Sequence, residues 1–281
     1  MSSSTVRRVR PHRLPGFRLS LGVTLAVLGS LVVLPLAALL VVLSRAPLER
    51  TLDTLGAERT LAAYGLSLGA SLAAALLALP AGLAIAWVLA RYELPGRRLL
   101  DAIVDLPFAM PTAVSGIALT YLWGPAGPLS GPLEALGLEV SFTRAGIVLA
   151  LTFVALPFVV RTVQPVLEDF PAEVEEAARA LGASPAQVFA RVILPALRPA
   201  LVSGAGLGFA RAVGEYGSVV FIAGNVPLST EIAPLLVLVR LEEYDYAGAA
   251  AIATGMLAAS AVMLWTLARV EKPRRSGRAA A

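Results

Sequence analysis

Long apolar runs separated by short polar stretches dominate this chain, and reading them in order predicts its elements. They fall near 19 to 43, 60 to 90, 102 to 123, 145 to 167, 199 to 223 and 247 to 268. The first carries no charged residue between Leu19 and Leu43. Each run meets the length of roughly 20 residues that a helix needs to cross a hydrocarbon core. In lipid a helix satisfies its own backbone polar groups, so helices rather than barrel strands are expected. The predicted fold is an all-α polytopic membrane protein with six transmembrane helices.

Composition agrees: 57% of the 281 residues are hydrophobic, 15% are charged, and the mean hydropathy is +0.78. The basic tail before the first run looks like the start of a secretory leader. The run is too long for one, however, and no A-x-A cleavage site follows, so it reads as a retained anchor. There is no cysteine, and the single histidine, His12, lies in the N-terminal tail. Structural disulfides and thiolate metal sites are thereby excluded, and no metal site is expected.

A net charge of +4 and a pI near 9.8 raise the question of nucleic acid, but the positions of the arginines answer it differently. With both termini in the cytoplasm, 16 Lys and Arg lie inside and five lie in the opposite loops, with Arg161 and Arg211 within spans. The positive-inside rule accounts for this distribution, places both termini in the cytoplasm and leaves no role for nucleic acid. Pro80 interrupts the second run, and Pro35, Pro107, Pro111 and Pro157 do the same elsewhere. Each can kink or locally break its helix. We read them as packing adjustments and assign them no transport role.

The most water-compatible piece of the middle of the chain is the stretch between the fourth and fifth runs. Pro171 suits a first helical turn, and Glu173, Glu175 and Glu176 favour the positive end of a helix dipole. Gly182 supplies a left-handed stop. Ser184 as N-cap, Pro185 at the first helical position and Gln187 three residues after the serine then form a capping box. Small residues Ala177, Ala178, Ala180 and Ala183 surround the bend, and Val188, Phe189, Val192 and Ile193 follow. This spacing fits either a hairpin lying on the membrane surface or an element approached closely by another surface.

The order of residues is more specific: Glu176, Ala177, Ala178, three residues, Gly182, nine residues, Val192, one residue, Leu194 and Pro195. It resembles the EAA loop of ABC importer permeases, with Val192 in place of the family's isoleucine. The resemblance implies that these seven residues belong to a coupling element seated in a groove of a separate ATP-hydrolysing subunit. It extends over "LPGFRLSLG" (14 to 22), "DLPFAMPTAVSGIAL" (105 to 119) and "RAVGEYGSVVFIAGNVPLSTEIAPLLVLVRLEEYDYAGAAAIA" (211 to 253). Together these look like the T-type permease subunits of bacterial sulfate and thiosulfate importers. Molybdate and tungstate permeases share the loop; "LPGF" and "GEYGSVVFIAGN" favour sulfate.

What this resemblance implies is a type I importer permease in the bacterial inner membrane. Its partners would be a second homologous permease subunit, two ATPase subunits that hold ATP and Mg, an external sulfate- or thiosulfate-binding protein, and membrane lipid. No cofactor is expected in this chain. The expected layout is a basic cytoplasmic tail over 1–18, an additional N-terminal transmembrane helix and external loop over 19–58, a core permease domain over 59–268 with a cytoplasmic coupling loop at 168–198, and a basic tail over 269–281.

Other classes fare worse. No G-x-x-x-x-G-K-[ST] loop occurs, so the chain is not its own ATPase by that motif, and it is not expected to be an enzyme. An intramembrane hydrolase would need a metal cluster or activated nucleophile, and no histidine falls within the spans. The main alternative class is an ion-gradient-driven secondary carrier, against which stands the lack of a convincing internal repeat.

Charges inside the spans are costly in lipid and call for partners. Arg211 and Glu215 lie four residues apart on the fifth run, either neutralising each other or lining a water-accessible path for the anion. Gly204 and Gly208, with Gly206, Ala210 and Gly214, give the same run a smooth face for close packing. Arg161 and Asp105 can each snorkel or cap a helix end, and neither receives a role. Glu242, Glu243 and Asp245, beside Tyr244 and Tyr246, fall on the external side. By resemblance they are candidates for docking the binding protein.

Overall fold

The computed structural model describes residues 17–271, and the two expected basic tails fall almost wholly outside that range. All regular elements among the described residues are helical. In chain order they are α1 (Phe17–Ser44), α2 (Leu48–Gly56), α3 (Glu58–Arg91), α4 (Arg97–Ala109), α5 (Thr112–Trp123), α6 (Ser130–Ala135), α7 (Arg144–Glu168), α8 (Ala172–Ala180), α9 (Pro185–Val213), α10 (Val219–Ile222), α11 (Ala233–Glu242) and α12 (Tyr246–Glu271). Five of these are long and apolar enough to cross a membrane: α1, α3, α7, α9 and the Tyr246–Thr266 part of α12.

Counted together as one span, the bent pair α4 and α5, whose axes differ by 112°, makes a sixth. Met110 and Pro111 between them are extended, with ψ of 137° and 132°. Proline has no N–H to continue the ladder and pushes its predecessor out of the helical region, which accounts for the break. The pair still reaches both ends of α7. Arg97 at the start of α4 meets Glu168 at the end of α7 at 2.8 Å, and Ser141, just before α7, donates its hydroxyl to the Thr120 carbonyl in α5. The run expected over 102 to 123 is thus broken at Pro111, one of the prolines read from sequence as able to break its helix.

Two other prolines act more gently. One turn of π-helix, Gly29–Val33, precedes Pro35, and another, Phe189–Ile193, precedes Pro195. In each the residue before the proline donates to a carbonyl five residues back, Leu34 to Gly29 and Leu194 to Phe189. The widened turn relieves the clash between the proline ring and the carbonyl four residues earlier, and the helix continues.

The fifth crossing differs most from its expected span of 199 to 223. It begins at Pro185, directly out of the polar loop, and ends at Val213. After Gly214 the chain turns, forms the short α10, and crosses to α11 through a loop with left-handed backbone at Asn225 and Leu228.

The core is a three-helix contact of α3, α7 and α9. Alanines of α3 such as Ala74, Ala78 and Ala86 are wholly buried, as are Val159, Val160 and Val163 of α7 and Leu197 and Phe209 of α9. Small residues set the spacing. A Cβ placed on Gly204 would lie 2.9 Å from the Val159 Cα, and one on Gly208 3.2 Å from the Ala155 Cβ, so these two glycines bring α9 onto α7. Gly206 and Gly214 meet nothing within 4 Å and Ala210 is exposed. The expected smooth face therefore narrows to Gly204 and Gly208. α1 buries no residue in the chain and touches it mainly through α12.

Candidate functional site

The loop between α7 and α9 folds from local signals. Glu173 and Glu175 occupy the first turn of α8, with Pro171 one residue earlier than expected, at the N-cap. Gly182 adopts φ +84°, a conformation that costs an L side chain energy, and no atom would lie within 4 Å of a Cβ there. Around it the Gly182 N–H donates to the Arg179 carbonyl at 2.9 Å and the Ala183 N–H to the Ala178 carbonyl at 3.1 Å, a complete Schellman termination. Two residues on, the Ser184 N–H donates to Gln187 Oε1 at 2.8 Å and the Gln187 N–H to Ser184 Oγ at 3.3 Å. The predicted capping box is present, and it starts a helix that runs straight into the membrane as α9.

The turn has a braced base and an open tip. Ala178, Ala183, Phe189 and Val192 pack on the cluster of Leu89, Leu167, Val188 and Ile193. Phe189 sets its ring edge-on to Trp87 of α3, and the Arg91 guanidinium lies 5.4 Å from the centre of the Trp87 ring. At the tip, Leu181 is 89% exposed, beside Gly182 and below the exposed Glu176 and Ala177. A leucine in that position has no packing role within this chain. Of the other coupling residues, Val192 and Leu194 are half-buried and Pro195 is exposed.

One residue of this site escaped the sequence reading. Glu175, taken there only as a dipole charge, is buried and meets Arg91 of α3 at 2.6 Å and Arg179 at 3.3 Å. It ties α8 to the end of α3. The available signals were spacings of four residues, Glu175 to Arg179 and Trp87 to Arg91, each placing two side chains on one helix face.

Within the spans, Arg211 Nη1 lies 2.6 Å from Glu215 Oε2, so the two charges do pair. Glu215 is almost fully buried beyond the end of α9, and its other oxygen accepts from both the N–H and the hydroxyl of Ser218 at 2.9 Å. It pins the turn after α9. Arg211 remains 38% exposed.

Arg161 and Asp105, unassigned from sequence, are brought together with Asp101. Arg161 donates through Nε and Nη2 to the two oxygens of Asp105 at 2.8 and 2.7 Å, and through Nη1 to Asp101 Oδ1 at 2.6 Å. It also reaches the Asp101 carbonyl and Gln164. Gln164 continues to Glu168, which meets Arg97. Their sequence separations of about 60 residues carry no local signature.

At the opposite end of the helices, Glu243 pairs with Arg240 at 3.1 Å and Glu242 is exposed. Asp245 is used internally: it accepts from Arg50 of the α2 region and from the Gly248 N–H at the start of α12, each at 3.0 Å. Tyr244 is exposed with φ +60°, and Tyr246 is exposed.

A helical bundle of this length, with a broken third crossing and a braced, open-tipped turn between its fourth and fifth, is the architecture of a transport permease. The chain belongs to the family of binding-protein-dependent transport system inner membrane components, whose family model matches residues 78–276. Over 90% of its length and 92% of the relative's, it is 45% identical to the sulfate transport system permease protein CysT of Escherichia coli. It is 48% identical, over 87% of this chain and 86% of the relative, to a probable sulfate transport system permease protein cysT of Nephroselmis olivacea. Solved structures share the fold at low identity. A chain of a bacterial alginate ABC transporter aligns with TM-score 0.74 and 16% identity over 94% of this chain and 96% of that one. A chain of the MetNI methionine ABC transporter aligns at 0.55 and 20% over 73% and 91%.

Proposed function

We propose that this chain is the permease subunit of an ATP-driven importer that carries sulfate, and with it thiosulfate, across the bacterial cytoplasmic membrane. The observation that carries the reading is the turn itself: a stiff, locally capped element, braced on α3 and α7, that presents Leu181 to the space beyond the chain. A separate ATPase, two copies of which hold the ATP and Mg, seats this turn in a groove. Motion of the ATPase pair then reaches the membrane through the unbroken helix from Pro185 to Val213. In this orientation the turn and both tails are cytoplasmic, in keeping with the distribution of Lys and Arg.

Sulfate as cargo draws support from the curated relatives, which are named for sulfate transport. A second, homologous permease completes the pathway, and an external binding protein delivers the anion. Arg211, half-exposed and next to the break after α9, meets the anion along that path, with Glu215 holding the turn behind it. Glu242 and Glu243 contribute to the external docking surface; Asp245 serves it indirectly by fastening the start of α12.

The reading is tested by uptake of labelled sulfate into vesicles that contain this chain with its neighbouring ATPase, second permease and binding protein. Uptake that requires ATP, is competed by thiosulfate and resists molybdate is the expected result. ATP-dependent molybdate uptake without sulfate uptake would replace the cargo, and sulfate uptake driven by an ion gradient without the ATPase would overturn the mechanism.

A further inference from the structure

Helix α4 is poorly anchored by apolar packing. Val104 is its only buried residue, while Leu99 and Ile103 point outward at about half exposure or more. What fastens it is a polar ladder in antiparallel register with α7. Arg97 faces Glu168, Asp101 and Asp105 share Arg161, and the Phe108 ring stands edge-on to Phe158 at 5.0 Å. The Arg161 guanidinium alone spans two successive turns of α4, which a single ammonium has no geometry to do.

The two ends of this arm lead to different places. α7 ends at Glu168, and the turn at 169–184 begins at the next residue, so the ladder starts where the turn starts. At its other end α4 stops at Ala109, before the extended Met110 and Pro111. Beyond that break α5 is fixed to another part of the molecule. A Cβ on Gly116 would lie 2.5 Å from the Ser218 carbonyl oxygen, and α5 packs along α10.

We propose that Arg161 is a positioning residue for transport, which keeps α4 riding on α7 as one rigid arm so that displacement of the turn at 169–184 is delivered to the Met110–Pro111 break. The proposal rests on the permease function above. Without Arg161, α4 is free to lag behind α7, and ATP hydrolysis no longer produces a matching movement of the third crossing.

Two variants and one chemical link test it in the vesicles described above, with sulfate uptake and ATP hydrolysis measured side by side. Arg161→Gln should lower uptake about tenfold while hydrolysis stays within about twofold, and Arg161→Lys should fall between. The chain has no cysteine, so Asp101→Cys with Gln164→Cys places the only two thiols in it. The two substitutions remove Asp101 and Gln164 from the ladder, so joining the thiols with a short bis-maleimide should raise uptake above that of the unlinked protein, both beside Arg161 and beside Arg161→Gln. Unchanged uptake in Arg161→Gln, a parallel fall of uptake and hydrolysis in a normally assembled complex, or arrest of the linked protein would each overturn the proposal. Should Arg161→Gln fail to assemble, the linked protein with Arg161 intact decides the matter.

If the unaltered complex takes up no sulfate, it is the functional reading that fails. The arm is then judged by hydrogen exchange of the purified complex. Arg161→Gln is expected to speed exchange over 97–109 and leave 112–123 unchanged, and equal exchange in both segments would reject the arm.

Discussion

The turn at 169–184 and the segment at 214–232 lie at opposite ends of the same helices and are fastened differently. In the turn, each shaping hydrogen bond closes within five residues: Gly182 to Arg179, Ala183 to Ala178, and the reciprocal pair of Ser184 and Gln187. The other segment has local bonds too, Ser218 to Glu215 and Thr230 to Val226, but adds several to distant partners. Glu231, 4% exposed, accepts two hydrogen bonds of 2.7 Å from Arg59, which lies 172 residues away. The Phe142 N–H donates to the Ile222 carbonyl, and the Arg144 side chain to that of Ser229. A turn that carries its own shape can hold its tip clear of the core while its base, tied by Glu175 to Arg91, stays braced on it. A segment shaped by its neighbours is bound to them.

This contrast predicts where substitutions will hurt stability. Arg59→Ala strands the buried Glu231 carboxylate, and removing one partner of such a pair costs about 3 kcal/mol or more. A clear drop in the melting temperature of the purified complex is expected, and an unchanged one would mean that the segment does not depend on its distant partner. Gly182→Val introduces no clash but forces a β-branched residue to φ +84°, at a cost of about 1–2 kcal/mol. Its melting temperature should fall less than that of Arg59→Ala, with sulfate uptake falling further than the stability loss explains.

Smaller effects sharpen the same comparison. Ser184→Ala removes half of the capping box and should cost about 1 kcal/mol, visible as faster hydrogen exchange confined to the first turn of α9. Glu242→Lys together with Glu243→Lys should cost about 1 kcal/mol or less, since the ion pair lost is the single one from Glu243 to the half-buried Arg240. Weaker binding of the sulfate-binding protein is the expected readout, and undiminished binding would remove these residues from the docking surface.

The same division explains what was legible in the sequence. Gly182, Ser184 and Gln187 announce their conformations through residue type and spacing alone, and the structure places all three as read. The apolar runs locate the crossings, because the need to satisfy the backbone in lipid leaves little choice. The break at Pro111 was one of several proline positions that looked alike. Pro35 and Pro195 follow π-turns and their helices continue, whereas the helix ends at Pro111, and residue type alone does not separate the three. Glu175 and Asp245 looked like solvated acids, yet Arg91 and Arg50 claim them across the fold. Arg161 needed Asp101 and Asp105 from another helix to reveal a role. The end of α9 at Val213 was hidden for the same reason, since the apolar run continues to Ala223 in a short helix packed against α5 and α7.

The central claim is that the exposed turn couples this chain to an ATPase, and Leu181→Asp tests it most directly. The side chain is 89% exposed, so the substitution leaves the fold and the membrane insertion of the chain unchanged. In vesicles with the partner subunits and the binding protein, ATP-dependent sulfate uptake should fall to background, together with the binding-protein-stimulated part of ATP hydrolysis. Wild-type uptake by Leu181→Asp would contradict the account, because a tip that tolerates a charge is not seated in a partner's groove.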